Sequence, residues 1–423
     1  MKILTPDRRV QGFLQRALKD PAYQWNGVRD PRARRGRRWK FSSLMNALLT
    51  GMLTGCPSLR DVETLTEELG ETGRTLVPKR VPDTTLWDLV RRLAAGDLRR
   101  KLRAQVRSAW RSKALEPTTL PCGVLAIDGK GLGALEHDAN GTAQKAHRAH
   151  DGTAYWLARM LRAVLVSADA KPCLDQMPIG ARTNEMGCAA EFFERLDADY
   201  GRGNLFEVVT LDAGLVSRAL ADQINAAHKA YVMALKGTQP ELLAEAERLF
   251  RHRGEPAAQS EWAPYQGKLV RRSLFRSTEI AGYHGWQHLR QVWLVVTETK
   301  RGEDVEEELR YFLTNLPAQR FSANQILAVV RAHWGIENDC FWTLDTQWKE
   351  DAVPWCSSGR AVEALSWIRL MAYNLIQLAR RRHLRRRNND GLVVGPPPPW
   401  RNVLRWVRDA LRLDLPVGDP VRA

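Results

Sequence analysis

The sequence has no cysteine pair of the C-x-x-C kind. Its six cysteines, Cys56, Cys122, Cys173, Cys188, Cys340 and Cys356, lie far apart among 423 residues. That spacing argues against a zinc ribbon and against a secreted disulfide framework. There is no apolar run of about 18 residues to span a bilayer, and no signal peptide opens the chain. The expectation is a cytoplasmic protein in a reducing setting, without a membrane partner. No internal repeat is apparent. Acidic side chains are outnumbered, and the net charge is +16.

The excess is unevenly placed. Residues 1–120 carry +13, residues 121–350 carry −4 and residues 351–423 carry +7. Two basic flanks around a mildly acidic centre suit a chain whose ends grip a polyanion while the middle does something else. Nucleic acid is the expected polyanion, because lysine and arginine neutralise phosphates and release counterions. An arginine-rich solvated surface is the plainer alternative.

Residues 1–40 end in PRARRGRRWK, six basic side chains in ten positions, which reads as a basic arm on a DNA backbone or as a solvated linker. Residues 41–115 read as short helices. One break falls around Gly55–Pro57, and Asp83 is the expected N-cap of the helix TTLWDLVRRL. This fits a helix-turn-helix-like DNA-binding domain, although an ordinary helical bundle would look much the same. From residue 121 strands and helices alternate, giving an α/β sheet with covered faces. Residues 238–318 read as strands without helices, an all-β insertion. A long helix then starts near Ser322 and runs towards Pro354. A further helix with a basic end, the run GPPPPW and a short amphipathic piece make a basic C-terminal tail, 381–423.

Five acids lie in RAHWGIENDCFWTLDTQWKED, residues 331–351. On a helix advancing about 100° per residue, Glu337 shares a face with Ile326, Val330, Phe341 and Leu344. Asp339 and Glu350 fall on the opposite, solvated side, and Asp345 at the margin. Asp351 returns to the apolar side and is the reserve candidate. A carboxylate facing a core needs a salt bridge, a proton or a metal. Two further acids close buried strands: Asp128 ends VLAID and Asp212 ends VVTLD. Three carboxylates brought together repel one another unless a cation lies between them. Hard oxygen ligands suit Mg²⁺ or Mn²⁺, and two such ions support phosphoryl transfer.

The order IDGK, NE, TLDAG, LKGTQPEL, YFLTNL, RAHWGIEN resembles the DDE transposases of bacterial insertion sequences, closest to the ISAs-type group, over roughly residues 40–380. The resemblance implies an RNase H-like catalytic core over 121–237 and 319–380, interrupted by a β-rich insertion. It places the catalytic, metal-binding triad on Asp128, Asp212 and Glu337. It also implies double-stranded DNA partners, namely the terminal inverted repeats and target DNA, and a homodimer on paired ends. Candidate DNA contacts are Arg34, Arg35, Arg37, Arg38, Arg91, Arg92, Lys130, Lys236, Arg331, Trp334 and Asn338; Trp334 packing on the sheet is an equal alternative. The chain departs from the family pattern with Arg182-Thr183 before Asn184-Glu185, and with Thr238 in LKGTQ. His137, His147 and His150 read as loop histidines, since no cysteine accompanies them. Two rival functions stay open: a nuclease that hydrolyses without joining strands, and an inactive DNA-binding relic.

Overall fold

A computed structural model describes residues 6–135, 143–147, 152–265, 267–302, 304–352, 355–388 and 393–413. His137 and His150 lie outside these; His147 is an exposed residue of a short strand.

The first part of the chain is helical: α1 (Pro6–Lys19), α2 (Phe41–Leu53), α3 (Leu59–Glu67), α4 (Glu71–Arg74), α5 (Asp83–Val90) and α6 (Ala95–Arg111). Gly55, at φ +70°, turns the chain between α2 and α3, a conformation that costs glycine little. Ser58 then caps α3 by accepting from the Asp61 N–H. Pro82 is the N-cap of α5, and Asp83 is its first helical residue rather than the cap itself. The backbone N–H of Asp83 donates to Glu63 Oε2 at 3.0 Å.

The second part is built on β1 (Val124–Leu135), β2 (Gln144–His147), β3 (Ala154–Leu165), β4 (Cys173–Pro178), α7 (Glu185–Leu196), β5 (Val208–Leu211), α8 (Arg218–Ala226) and β6 (Ala230–Leu235). It continues through α9 (Pro240–Leu249), β7 (Ala258–Gln259), β8 (Ala263–Tyr265), β9 (Lys268–Ser277), β10 (Gln291–Arg301) and β11 (Asp304–Thr314). The last helices are α10 (Ala323–His333), α11 (Trp342–Trp348), α12 (Gly359–Leu378) and α13 (Trp400–Arg412).

The strands form one mixed α/β sheet in the order β2-β3-β1-β5-β6-β11-β10-β9-β7, with β4 on β3 and β8 on β9. β1, β5 and β6 run parallel; their other pairings are antiparallel. Alternation along the strands divides two cores. Val124, Ala126, Val208 and Val232 join the helices α10 to α12 and the amino-terminal helices. Leu125, Ile127, Val209 and Leu211 join α7 and α8.

The stretch 238–318 is not all-β. It opens with α9, where Pro240 occupies the first turn, Glu241 follows it, and Leu242 and Ala246 bury one face. Nor is its sheet separate: β11 pairs with β6, so β9 to β11 prolong the same sheet that carries β1 and β5.

Residues 6–40 contribute to the core rather than standing apart as an arm. Val10, Phe13, Leu14 and Trp25 are buried, and α1 packs against α13. At the other end, α13 turns Trp400, Val403, Val407 and Leu411 inward, so this part of the 381–423 tail is folded onto the helical part as well. α12 is buried along nearly its whole length and joins α2 and α6 to the sheet.

Candidate active site

Asp128 and Asp212 follow a register pair. Ile127 of β1 stands beside Leu211 of β5 in a parallel ladder, so the next residues on the two strands are Asp128 and Asp212. Adjacent strands lie about 4.8 Å apart, and the same alternation that buries Ala126 and Val208 turns both carboxylates towards the α10 side. β5 ends at Leu211, which leaves Asp212 exposed, while Asp128 is half-buried.

The third acid arrives by helix. Ser322 and Gln325 form a reciprocal capping box at the start of α10. At its far end, His333 Nδ1 lies 2.9 Å from Thr210 Oγ1 of β5, two residues before Asp212. Burial lowers the imidazole to about 4, with Asp212 opposing, so it is neutral at pH 7. Four residues on, Glu337 sits in a π-helical turn, Ile336–Phe341, packed against β1 and β3.

The periodicity argument placed Glu337 in the middle of an apolar face; it is exposed, and Ile336 and Cys340 take the buried positions beside it. Its carboxylate is nonetheless near Asp128. Burial raises the Asp128 carboxyl to about 7, the Gly129 N–H opposes the rise, and Glu337, Glu185 and Asp212 add to it by repulsion. The Gly129 N–H donates to Asp128 Oδ1 at 2.7 Å.

Glu185 was not among the expected site residues. It opens α7, which is capped by Asn184 accepting from Gly187, and it pairs with Arg159 of β3. Its carboxylate lies over Gly129, where a Cβ would collide with Oε1. It therefore reaches the acids from the other face of the sheet. The N-cap asparagine followed by glutamate was visible in the sequence, but nothing local showed that this helix begins against Gly129.

Further expectations fail. Glu350 is not solvated helix surface but 1 % exposed. Arg162 binds it through both terminal nitrogens, at 2.7 and 2.9 Å, and Arg369 adds a contact at 3.1 Å. Lys130 is not free for DNA: it is buried, and its Nζ lies 2.6 Å from Asp345 Oδ2. The helix also stops before Pro354, because Lys349 adopts φ +49° and ends α11.

Among the other candidates, Arg34, Arg35, Arg37 and Arg38 are exposed, Arg37 with a 3.4 Å contact to Asp30. Arg32 of the same run is buried on Asp30 and the Trp39 carbonyl. Arg91 covers the Trp87 ring at 4.1 Å, and Arg92 pairs with Asp88. Lys236 is exposed just beyond β6, and Arg331 and Asn338 are exposed. Trp334 is half-buried with Arg310 over its ring at 4.6 Å. Asp339 is half-buried on Lys171, and Asp351 is exposed. All six cysteines are buried and unpaired. No helix among the described residues is long and apolar enough to cross a membrane.

Among the described residues, no group of three or more histidine, cysteine, aspartate or glutamate side chains is gathered closely enough to hold a metal ion. The side chains of Asp212 and Glu337 have no ion pair or hydrogen bond among the described residues. The donors are hard oxygens and one is strained by its neighbours, the chemistry a divalent cation fits.

The profile of a family described as "Transposase DDE domain" matches residues 122–375, more than half of the chain. The "Putative transposase YncI" of Escherichia coli O157:H7 is 26% identical over 216 residues, 48% of this chain and 53% of that protein. The "H repeat-associated putative transposase YhhI" of Escherichia coli strain K12 is 24% identical over 217 residues, 48% of this chain and 54% of its own. The chain thus spans about half the length of the relatives it matches. On this family match the chain belongs to the DDE transposases of insertion sequences.

Proposed function

We propose that this transposase cleaves and transfers DNA strands at the ends of an insertion sequence, with Asp128, Asp212 and Glu337 as its metal ligands. The observation that carries the reading is the register of β1 and β5, which sets two carboxylates side by side, while the His333–Thr210 contact anchors the end of α10 just before the π-helical turn that bears the third. The order of β3, β1, β5 and β6 supports an RNase H-like core. The exposed arginines before α2 and just after α5 support DNA binding by the helical part. Mg²⁺ or Mn²⁺, as two ions, would supply activation of a water or 3′-hydroxyl and stabilisation of the leaving oxygen.

The protein's own part is to hold carboxylates where their repulsion favours a cation and to anchor the helix that leads into the third. Ligation by all three acids requires rotation of the exposed Asp212 and Glu337 side chains. Partners on this reading are the terminal inverted repeats and target DNA, engaged by a homodimer on paired ends in the bacterial cytoplasm.

A labelled transposon-end duplex tests it. Mg²⁺ or Mn²⁺ should give cleaved and joined products and raise the melting temperature, since a ligand that binds the folded state stabilises it. Ca²⁺ should raise the melting temperature but support little cleavage. Cleavage without joining selects the nuclease reading, and full cleavage in excess EDTA overturns the metal site.

A further inference from the structure

The prolonged sheet has a charged margin that neither the acids nor the helical part uses. Along β9, β10 and β11, cross-strand rows alternate between faces. Arg272, Thr297 and Glu308 form one row, and Leu274, Val295 and Arg310 the row two residues on, facing the same side. That side receives α10: Leu274, Trp293, Val295 and Phe312 share a core with Ile326, Leu327 and Val330. The last turn of α10 therefore arrives over the arginines. Arg310 lies on the Trp334 ring at 4.6 Å, and Arg331 and Arg310 both act electrostatically on Arg272.

Guanidinium groups from three elements thus gather at Arg272, with the Glu308 carboxylate beside two of them. Glu308 accepts from Arg310 Nε at 2.9 Å. Arg272 covers the Tyr265 ring at 5.9 Å, and its Nε is buried without an acceptor. Arg331 is exposed, and its side chain has no ion pair or hydrogen bond among the described residues. Burial, then Arg331 and Arg310, hold the Arg272 guanidinium below its ordinary value, with Tyr265 and Glu308 opposing. Like charges gathered this way disfavour one another until an anion joins them.

We propose that Arg272, Arg310 and Arg331 form a phosphate-binding wall, built jointly by the sheet extension and α10, that seats the DNA backbone beside Glu337. The inference rests on the DNA-cleaving reading above and adds residues 268–314 to the DNA interface. A guanidinium presents a planar fork to phosphate oxygens, and the Trp334 ring fixes the plane of Arg310. Arg331 precedes Glu337 by six residues, on the order of 9 Å along a helix, so a strand held at the wall passes within reach of the acids.

Binding of the transposon-end duplex across a salt series tests this, using wild type, the triple variant Arg272→Gln/Arg310→Gln/Arg331→Gln, and the matching triple lysine variant. Each phosphate contact contributes about 0.9 to the slope of log affinity against log salt, so the glutamine variant should lose roughly 2 to 3 and the lysine variant should keep most of it. Ethylation of phosphates flanking the cut bond should interfere with wild type and not with the glutamine variant. Should the triple variant fail to fold, Arg331→Gln alone, at an exposed position, should lose about 1 in slope. A folded variant with the wild-type slope and interference pattern overturns the wall and leaves the DNA reading standing. Wild type that does not bind the duplex overturns both.

Discussion

Glu350 and Arg162 face each other with no access to water, joined by two hydrogen bonds of 2.7 and 2.9 Å. Arg162 is also the β3 residue directly opposite Asp128 on β1. The ion pair thus braces the strand beside the proposed site. Removing one partner strands a buried charge, so Glu350→Ala should cost about 3 to 5 kcal/mol, read by denaturant unfolding. A loss below about 1 kcal/mol would mean that water reaches Arg162 in the variant.

The same pair sets an acid limit. Burial pushes the Glu350 carboxyl up, but Arg162 and then Arg369 outweigh it and hold it at about 2, against an ordinary 4.5. A depressed carboxylate contributes stability above its unfolded value and loses it as pH falls through the folded one. Wild type should therefore lose stability between pH 4.5 and 2, and Glu350→Gln should lack that component. Parallel melting curves of the two proteins over this range would refute the assignment.

Asp128 has the opposite sign. Its folded value of about 7 lies above the ordinary 3.8, so its contribution is complete below pH 3.8 and is lost as pH rises towards 7. Without metal, Asp128→Asn should melt higher than wild type at pH 8, with the gap closing towards pH 4. With Mg²⁺ present, the variant should show little of the wild-type rise. A variant that melts lower than wild type at pH 8 without metal would show that the carboxylate is not repelled.

Asp128→Ala, Asp212→Ala and Glu337→Ala should each abolish cleavage and leave duplex binding within about twofold, because the exposed arginines are untouched. Asp351→Ala is the comparison. If it, rather than Glu337→Ala, silences the protein in a labelled-duplex assay, the third acid is Asp351.

Within PRARRGRRWK the arginines should divide. Neutralising Arg34, Arg35, Arg37 and Arg38 should flatten the salt dependence of DNA binding without altering the melting temperature. Arg32, buried on Asp30 and Trp39, should do the reverse: Arg32→Ala lowers the melting temperature and leaves the salt slope alone. An unchanged slope in the quadruple variant removes this segment from the DNA surface.

Several of these positions could be read from the chain itself. An acid closing an apolar run was read as a strand end; Asp212 does follow the end of β5, but Asp128 lies inside β1, which runs on to Leu135. The helix expected to start near Ser322 is α10, with Ser322 as its N-cap. Glu350 was misread because a helical wheel assumes one angle per residue throughout. The π-helical turn at Ile336–Phe341 and the left-handed Lys349 each reset that phase, and Glu337 was moved off the apolar face for the same reason. Lys130 was misread because its partner Asp345 lies far along the chain, and no local pattern records such a pair. The joining of β11 to β6 is equally non-local, so the extension looked separable when it is continuous with the rest of the sheet.

The contact between α1 and α13 sets an order of events during synthesis. The backbone N–H of Gly70 donates to the Leu411 carbonyl at 3.0 Å, and Phe13 lies 4.9 Å from the His383 ring. The helices made first are thus completed by residues made near the end of the described chain. Until Trp400–Arg412 leaves the ribosome, the part of α1 that α13 covers stays open to chaperones and to other nascent chains. A message cut short before α13 would yield a protein with its acids in place and its head unsealed, and such a product should be cleared by proteolysis before it meets DNA.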